Sequence, residues 1–192
     1  ESYEKCKKDK KFNKLKSPDS RVKMKLVHVD RASHGSAVAT TVVDASVEEC
    51  AAYKFSRLGN REDVKSAKKD GITFLKVIKV KPHTLNYATT RELGIPGLAP
   101  REGRNKVIWC KEEDGKVLID FADTAKLHEA FPVKAGNVLV KIHSVWVFEP
   151  LDPVGDVPQT LVSFTNKVDL GGVLFSSIAN KLAPRFLAQV SN

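Results

Sequence analysis

The last third of the chain constrains the fold most. Residues 138–151 read VLVKIHSVWVFEPL, an alternation of apolar and polar side chains that predicts a strand ending in Glu149-Pro150-Leu151. Asp152-Pro153-Val154-Gly155-Asp156 predicts a turn, because Pro fixes φ and Gly relieves it. Residues 160–170, TLVSFTNKVDL, predict a second strand, which Gly171-Gly172 breaks. From residue 173 the run VLFSSIANKLAPRFLAQV has helical spacing, with Leu174, Ile178, Leu182 and Phe186 four apart. Pro184 removes a hydrogen bond and clashes with the carbonyl of Asn180, so a kink or break is expected near Ala183.

Upstream, residues 1–15 have helical composition, stopped by Ser17-Pro18. In 21–29, Val22, Met24 and Leu26 alternate with Lys23 and Lys25, a half-exposed strand. A turn over 33–36 precedes a β-branched strand over 37–43. Ser46 with Glu49 is a capping box that opens a helix over 47–55, and a second short helix is expected over 61–69. Strands follow at 72–80 and 83–90, then at 104–111 and 116–121 around the turn Glu113-Asp114-Gly115. Residues 94–100 form a Gly/Pro loop. The connection 124–137 is long for a compact domain, which often marks function.

Four landmarks recur in a known order. Val42-Val43-Asp44-Ala45-Ser46 runs into a helix, and Pro100-Arg101-Glu102 forms a turn before the strand RNKVIWCK. Glu149-Pro150-Leu151 and Val168-Asp169-Leu170-Gly171-Gly172 then precede the last helix. This series resembles a START domain, the lipid-transfer module named after the steroidogenic acute regulatory protein, over roughly residues 22–190. The resemblance implies an α+β helix-grip fold. A curved, largely antiparallel sheet would wrap a long C-terminal helix, with N-terminal and short internal helices. Residues 1–21 are expected as a basic N-terminal helix or extension, and 22–192 as the lipid-binding domain. A hydrophobic ligand would lie under the last helix, with the loop 124–137 at the cavity mouth.

Such a sheet should be apolar on its concave face. Val140, Ile142, Ser144, Trp146 and Phe148 share one parity, as do Val162, Phe164, Asn166 and Val168. The ligand-contacting residues expected from the middle strands are Leu85, Tyr87, Thr89, Val107, Trp109 and Phe121. Trp146, Phe164 and Asn166 come from the last two strands, and Leu174, Ile178 and Leu182 from the final helix. Asn166 and Tyr87 are the sharpest, because an inward polar group needs a partner; Asn105 is a further polar candidate. Ordinary core packing is the competing reading for each aromatic. Leu127 and Phe131 are expected to gate the cavity against the helix. Sterol-transferring members of the family pair an acidic with a basic residue on two cavity strands. The matching positions here, Thr89 and Val107, are uncharged, which leaves phospholipid, ceramide, fatty acid or another apolar ligand open and disfavours a sterol.

The net charge of +9 is uneven: residues 1–34 hold eleven Lys/Arg against five Asp/Glu. Lys7, Lys8, Lys10 and Lys11, with Lys5 and Lys14, are candidates for docking to anionic membrane; a solvated face is the alternative. Interleaved aromatics are scarce there, so nucleic-acid binding is not expected. No run approaches the ~18 apolar residues of a membrane span. The charged N-terminus lacks a secretory signal, and Cys6, Cys50 and Cys110 suit neither a disulfide framework nor a zinc site. A cytoplasmic setting, peripheral to membranes, is expected. The chain begins at Glu1, which suggests a piece of a larger protein, and a monomer is expected. No cofactor, metal or catalytic residue is implied, because the five histidines are scattered and no nucleophile elbow or metalloprotease motif occurs. An enzyme is therefore not expected. The alternatives are a cyclase or aromatase of the helix-grip type, and a protein- or membrane-surface domain with a filled core.

Overall fold

The computed structural model of the chain describes residues 12–28, 35–59 and 71–171, together with 184, 187 and 190. Among these, the strands are β1 (Phe12–Leu15), β2 (Lys23–His28), β3 (Gly35–Val43), β4 (Ile72–Lys81) and β5 (Thr84–Arg91). They continue with β6 (Arg101–Lys111), β7 (Val117–Asp123), β8 (Val138–Leu139), β9 (Lys141–Val154) and β10 (Val157–Asp169). One helix, α1 (Val47–Gly59), and a single 3-10 turn, Ala125–Leu127, complete the described elements. The strands form one curved sheet in the order β1-β2-β3-β10-β9-β7-β6-β5-β4, antiparallel throughout except that β8 pairs parallel with β6.

The sheet sorts side chains by alternation. Phe164 faces Trp146 across one ladder and Ala39 across the other, and Trp146 faces Ile119. Met24 on β2, Val107 on β6 and Tyr87 on β5 continue the same face. These residues form the buried core, with Phe148, Val162 and Leu26. Leu187 and Val190, near the end of the chain, join that core. The helix α1 lies across β7, β9 and β10. It buries Val47, Ala51 and Leu58, an apolar stripe at helical spacing. Its start is the expected capping box: the Ser46 hydroxyl accepts from the Glu49 N–H at 3.2 Å, and Glu49 Oε2 accepts from the Ser46 N–H at 2.9 Å.

Several expectations are corrected. Phe12–Leu15 is a strand, not the end of a helix, because antiparallel pairing with β2 supplies hydrogen bonds that helical composition alone does not. The turn expected at Pro100-Arg101-Glu102 is the start of β6, fixed by Arg91 on one side and β8 on the other. The strand expected over 138–151 divides at Val140. The Val140 N–H donates to Glu102 O at 2.9 Å, after which the chain leaves β6 to pair with β7 and β10. The turn expected over 152–156 shrinks to Gly155-Asp156, with Gly155 at φ +60°. Pro150 and Pro153 are tolerated because β7 pairs with β9 only as far as Phe148, leaving that stretch an edge.

The helix expected over 61–69 and residues 1–11 fall outside the described residues, as does the C-terminal helix save for three positions. Pro184 and Leu187 there are helical. No helix among the described residues is long and apolar enough to cross a membrane.

Candidate functional site

The concave face is unevenly filled. At one end Gly59, which closes α1, lies against Leu85. Beyond Tyr87 the side chains leave a cavity of about 170 Å³. Its apolar wall is Leu58, Leu75, Ile119, Phe121, Trp146 and Phe164. The Tyr87 hydroxyl donates to the Leu58 carbonyl, tying the strand to the end of α1. Its ring meets that of Phe121 at 5.6 Å between centroids. Trp146 stacks on Phe164 at 4.3 Å, and Lys54 Nζ sits 3.7 Å from the Trp146 ring centroid. An ammonium over an indole face is attracted by the ring quadrupole.

Polar groups punctuate this wall. Ser144 Oγ donates to Asn166 Oδ1 at 2.7 Å across the β9–β10 ladder. Asn105 Nδ2 donates to Asp123 Oδ1 at 3.0 Å, an oxygen that also accepts from the Ile142 N–H at 2.9 Å. Burial raises the Asp123 carboxyl above its ordinary range, against the opposing pull of the Ile142 N–H, the Lys141 charge and Asn105. Arg91 and Arg101, partners across the β5–β6 ladder, close one end.

Of the residues expected to contact a ligand, Tyr87, Thr89, Phe121, Trp146, Phe164 and Asn166 line this cavity, as does Asn105. Leu85, Val107 and Trp109 do not. Their parity is inward, but they sit farther along the strands. Leu85 and Val107 are buried in the core. Trp109, at the hairpin end of β6, is 37% exposed and meets Phe55 edge-on at 6.5 Å. Leu174, Ile178 and Leu182 fall outside the described residues, as do Lys7, Lys8, Lys10 and Lys11. The lining residues missed from sequence include Lys54, Leu58, Arg91 and Arg101. Arg91 and Arg101 carry the parity of Tyr87 and Asn105 four residues away, a signal obscured by the turn assigned at Arg101.

Leu127 and Phe131 do not line the cavity either. Leu127 is buried, and Phe131 packs its ring on Phe74 at 6.4 Å. Their loop is held by the alternate face of β6. Arg104 Nε donates to Phe131 O at 2.6 Å, and Arg104 pairs with the buried Glu102. Glu102 also accepts from Asn137 Nδ2 and from the Lys134 N–H at 3.2 Å. Among the described residues no cluster of His, Cys, Asp and Glu could hold a metal ion.

No protein-family model matches the chain, and no curated protein sequence matches it. Solved structures do. Human StAR-related lipid transfer protein 5 aligns with a TM-score of 0.72 at 16% identity, covering 99% of this chain and 88% of that one. The human StarD13 (DLC2) lipid transfer and protein localization domain gives 0.69 at 16% identity, over 99% and 90%. A STAR-related lipid transfer protein from Xanthomonas axonopodis gives 0.65 at 15%, over 93% and 95%. The fold is START-like.

Proposed function

We propose that this domain binds one hydrophobic, lipid-like molecule in the cavity beneath its sheet, for intracellular transfer or sensing. One observation carries the reading: Tyr87, Phe121, Trp146 and Phe164 converge on open space where interiors normally pack at crystal-like density. An apolar chain placed there would gain ~0.8 kcal/mol for each buried CH₂. The START-like fold supports the same reading, since the aligned solved structures are described as lipid transfer proteins.

The reading is of a carrier rather than an enzyme. The Ser144 hydroxyl is bonded to an amide, and no histidine lines the cavity among the described residues. The Ser144 hydroxyl thus faces an amide rather than a general base. The carrier works as a cytoplasmic monomer and meets anionic membrane through Lys7, Lys8, Lys10 and Lys11.

The test is mass spectrometry of the natively purified domain. A lipid at one equivalent is expected. A dry interior with no bound lipid would instead leave the domain as a surface-interaction module.

A further inference from the structure

Three described residues lining the cavity carry positive charge, Lys54, Arg91 and Arg101, and no Asp or Glu lines it among the described residues. Arg101 is the informative one. It is 5% exposed, its Nε donates to Leu170 O at 2.9 Å, and an Nη donates to Ala99 O. Both partners are neutral carbonyls. Burial lowers the proton affinity of this guanidinium, with no carboxylate acting in the other direction. Arginine nonetheless stays ionised in proteins, and a buried charge without a counter-charge is costly.

The surroundings sharpen the point. Arg91 is the ladder partner of Arg101 on the same face, which sets a second guanidinium beside it. The next pair along that face is Thr89 and Gly103, so the wall beside the two arginines carries one hydroxyl and no second side chain. A guanidinium fork matches a carboxylate or phosphate.

We infer that the ligand is an oxyanion-headed amphiphile, its carboxylate or phosphate received by Arg101 with Arg91 beside it. A single apolar chain then runs along Phe121, Trp146 and Phe164. One chain fits better than two, since about 170 Å³ is below the roughly 300–1,000 Å³ of typical ligand pockets. The inference rests on the carrier reading above.

The experiment titrates the delipidated domain with three probes of equal, short chain length that a cavity of about 170 Å³ can hold, octanoate, octyl phosphate and octanol, each below its critical micelle concentration. At least one anion should bind about tenfold tighter than the alcohol or better, as a charge-assisted contact predicts. The tighter of the two anions identifies the head. Arg101→Gln should erase the preference while keeping the alcohol's affinity, and Arg101→Lys should keep part of it. Arg101 also ties Ala99 to Leu170, so the wild-type comparison decides if the Gln variant does not fold. Alcohol binding as tight as the anions overturns this inference and leaves the carrier reading intact. If no probe binds and no lipid co-purifies, the carrier reading fails and this inference with it.

Discussion

Glu102 and Arg104, two residues apart on β6, form a buried ion pair on the face opposite the cavity. The side chains that flank them, Arg101 and Asn105, point the other way and line the cavity. One strand thus shapes the cavity with its odd-numbered residues and clamps the loop 124–137 with its even-numbered ones. Arg104 donates to Phe131 O and Pro132 O, while Glu102 accepts from Lys134 and Asn137.

Breaking this pair should destabilise the domain. Removing one partner of a buried pair typically costs ~3–5 kcal/mol, because the other charge is left uncompensated. Glu102→Gln is expected near the low end of that range in denaturant unfolding at pH 7. The pH dependence has a defined sign. Burial pushes the Glu102 carboxyl up, but Asn137, Arg104 and the Lys134 N–H together hold it below the ordinary range. Its contribution is therefore complete above the unfolded value of about 4.3 and is lost as pH falls through the lower folded value. The gap between wild type and variant should close between pH 5 and the acid limit of folding. A gap that stays constant with pH would mean that Glu102 contributes packing rather than charge.

Local signals were legible in the sequence, and signals that depend on a distant partner were not. Ser46 and Glu49 announce α1 because a capping box is complete within four residues. The inward parity of Ser144, Trp146, Phe164 and Asn166 was readable because those strands run long without interruption through that stretch. Phe12–Leu15 was misread because its pairing with β2 is tertiary. Trp109 shows a subtler limit. Alternation places it on the right face, but how far α1 reaches along that face decides which residues meet the cavity. Arg101 was hidden by its position beside Pro100, which reads as a turn until β8 is seen to extend the sheet there.

The Ser144–Asn166 pair should show measurable coupling. Asn166→Leu leaves the Ser144 hydroxyl without its acceptor, at roughly 1–3 kcal/mol. Ser144→Ala in the same chain should recover part of that loss, giving a coupling energy of about 1 kcal/mol in a double-mutant cycle. Strictly additive effects would show that the hydrogen bond contributes nothing to stability.

The two tryptophans offer a site-specific readout. Trp146 is buried in the cavity wall and Trp109 is 37% exposed beyond it. In Trp109→Phe, emission should be blue-shifted and should change on lipid addition. In Trp146→Phe, the remaining Trp109 signal should not respond. A response from Trp109 alone would move the ligand to the hairpin end, near Phe55.

If Lys7, Lys8, Lys10 and Lys11 dock the domain on anionic vesicles, binding should weaken steeply as salt rises, since charges are screened over ~10 Å at 0.1 M. Reversing these four charges should abolish vesicle binding and leave cavity occupancy unchanged. Vesicle binding that ignores salt would assign the contact to apolar insertion.

Gly103 allows the cavity to be closed without disturbing the sheet. It sits on β6 facing inward, between Arg101 and Asn105. A Cβ added there would lie 2.8 Å from Asn105 Oδ1 and 2.9 Å from Thr89 Oγ1. Thr89 Oγ1 must turn aside and Asn105 must shift against its bond to Asp123, but the backbone at this position needs no left-handed conformation, so Gly103→Ala should fold with some loss of stability. A larger β-branched side chain, as in Gly103→Val, suits a strand and projects into the space that a ligand would fill. Crowding of a packed wall typically costs ~1–3 kcal/mol, which sets the stability loss expected for the Val variant. Its lipid content should fall well below one equivalent, with Ala intermediate, while circular dichroism keeps the β-rich spectrum. Full lipid occupancy in a folded Gly103→Val domain would place the ligand somewhere other than between Arg101 and Trp146.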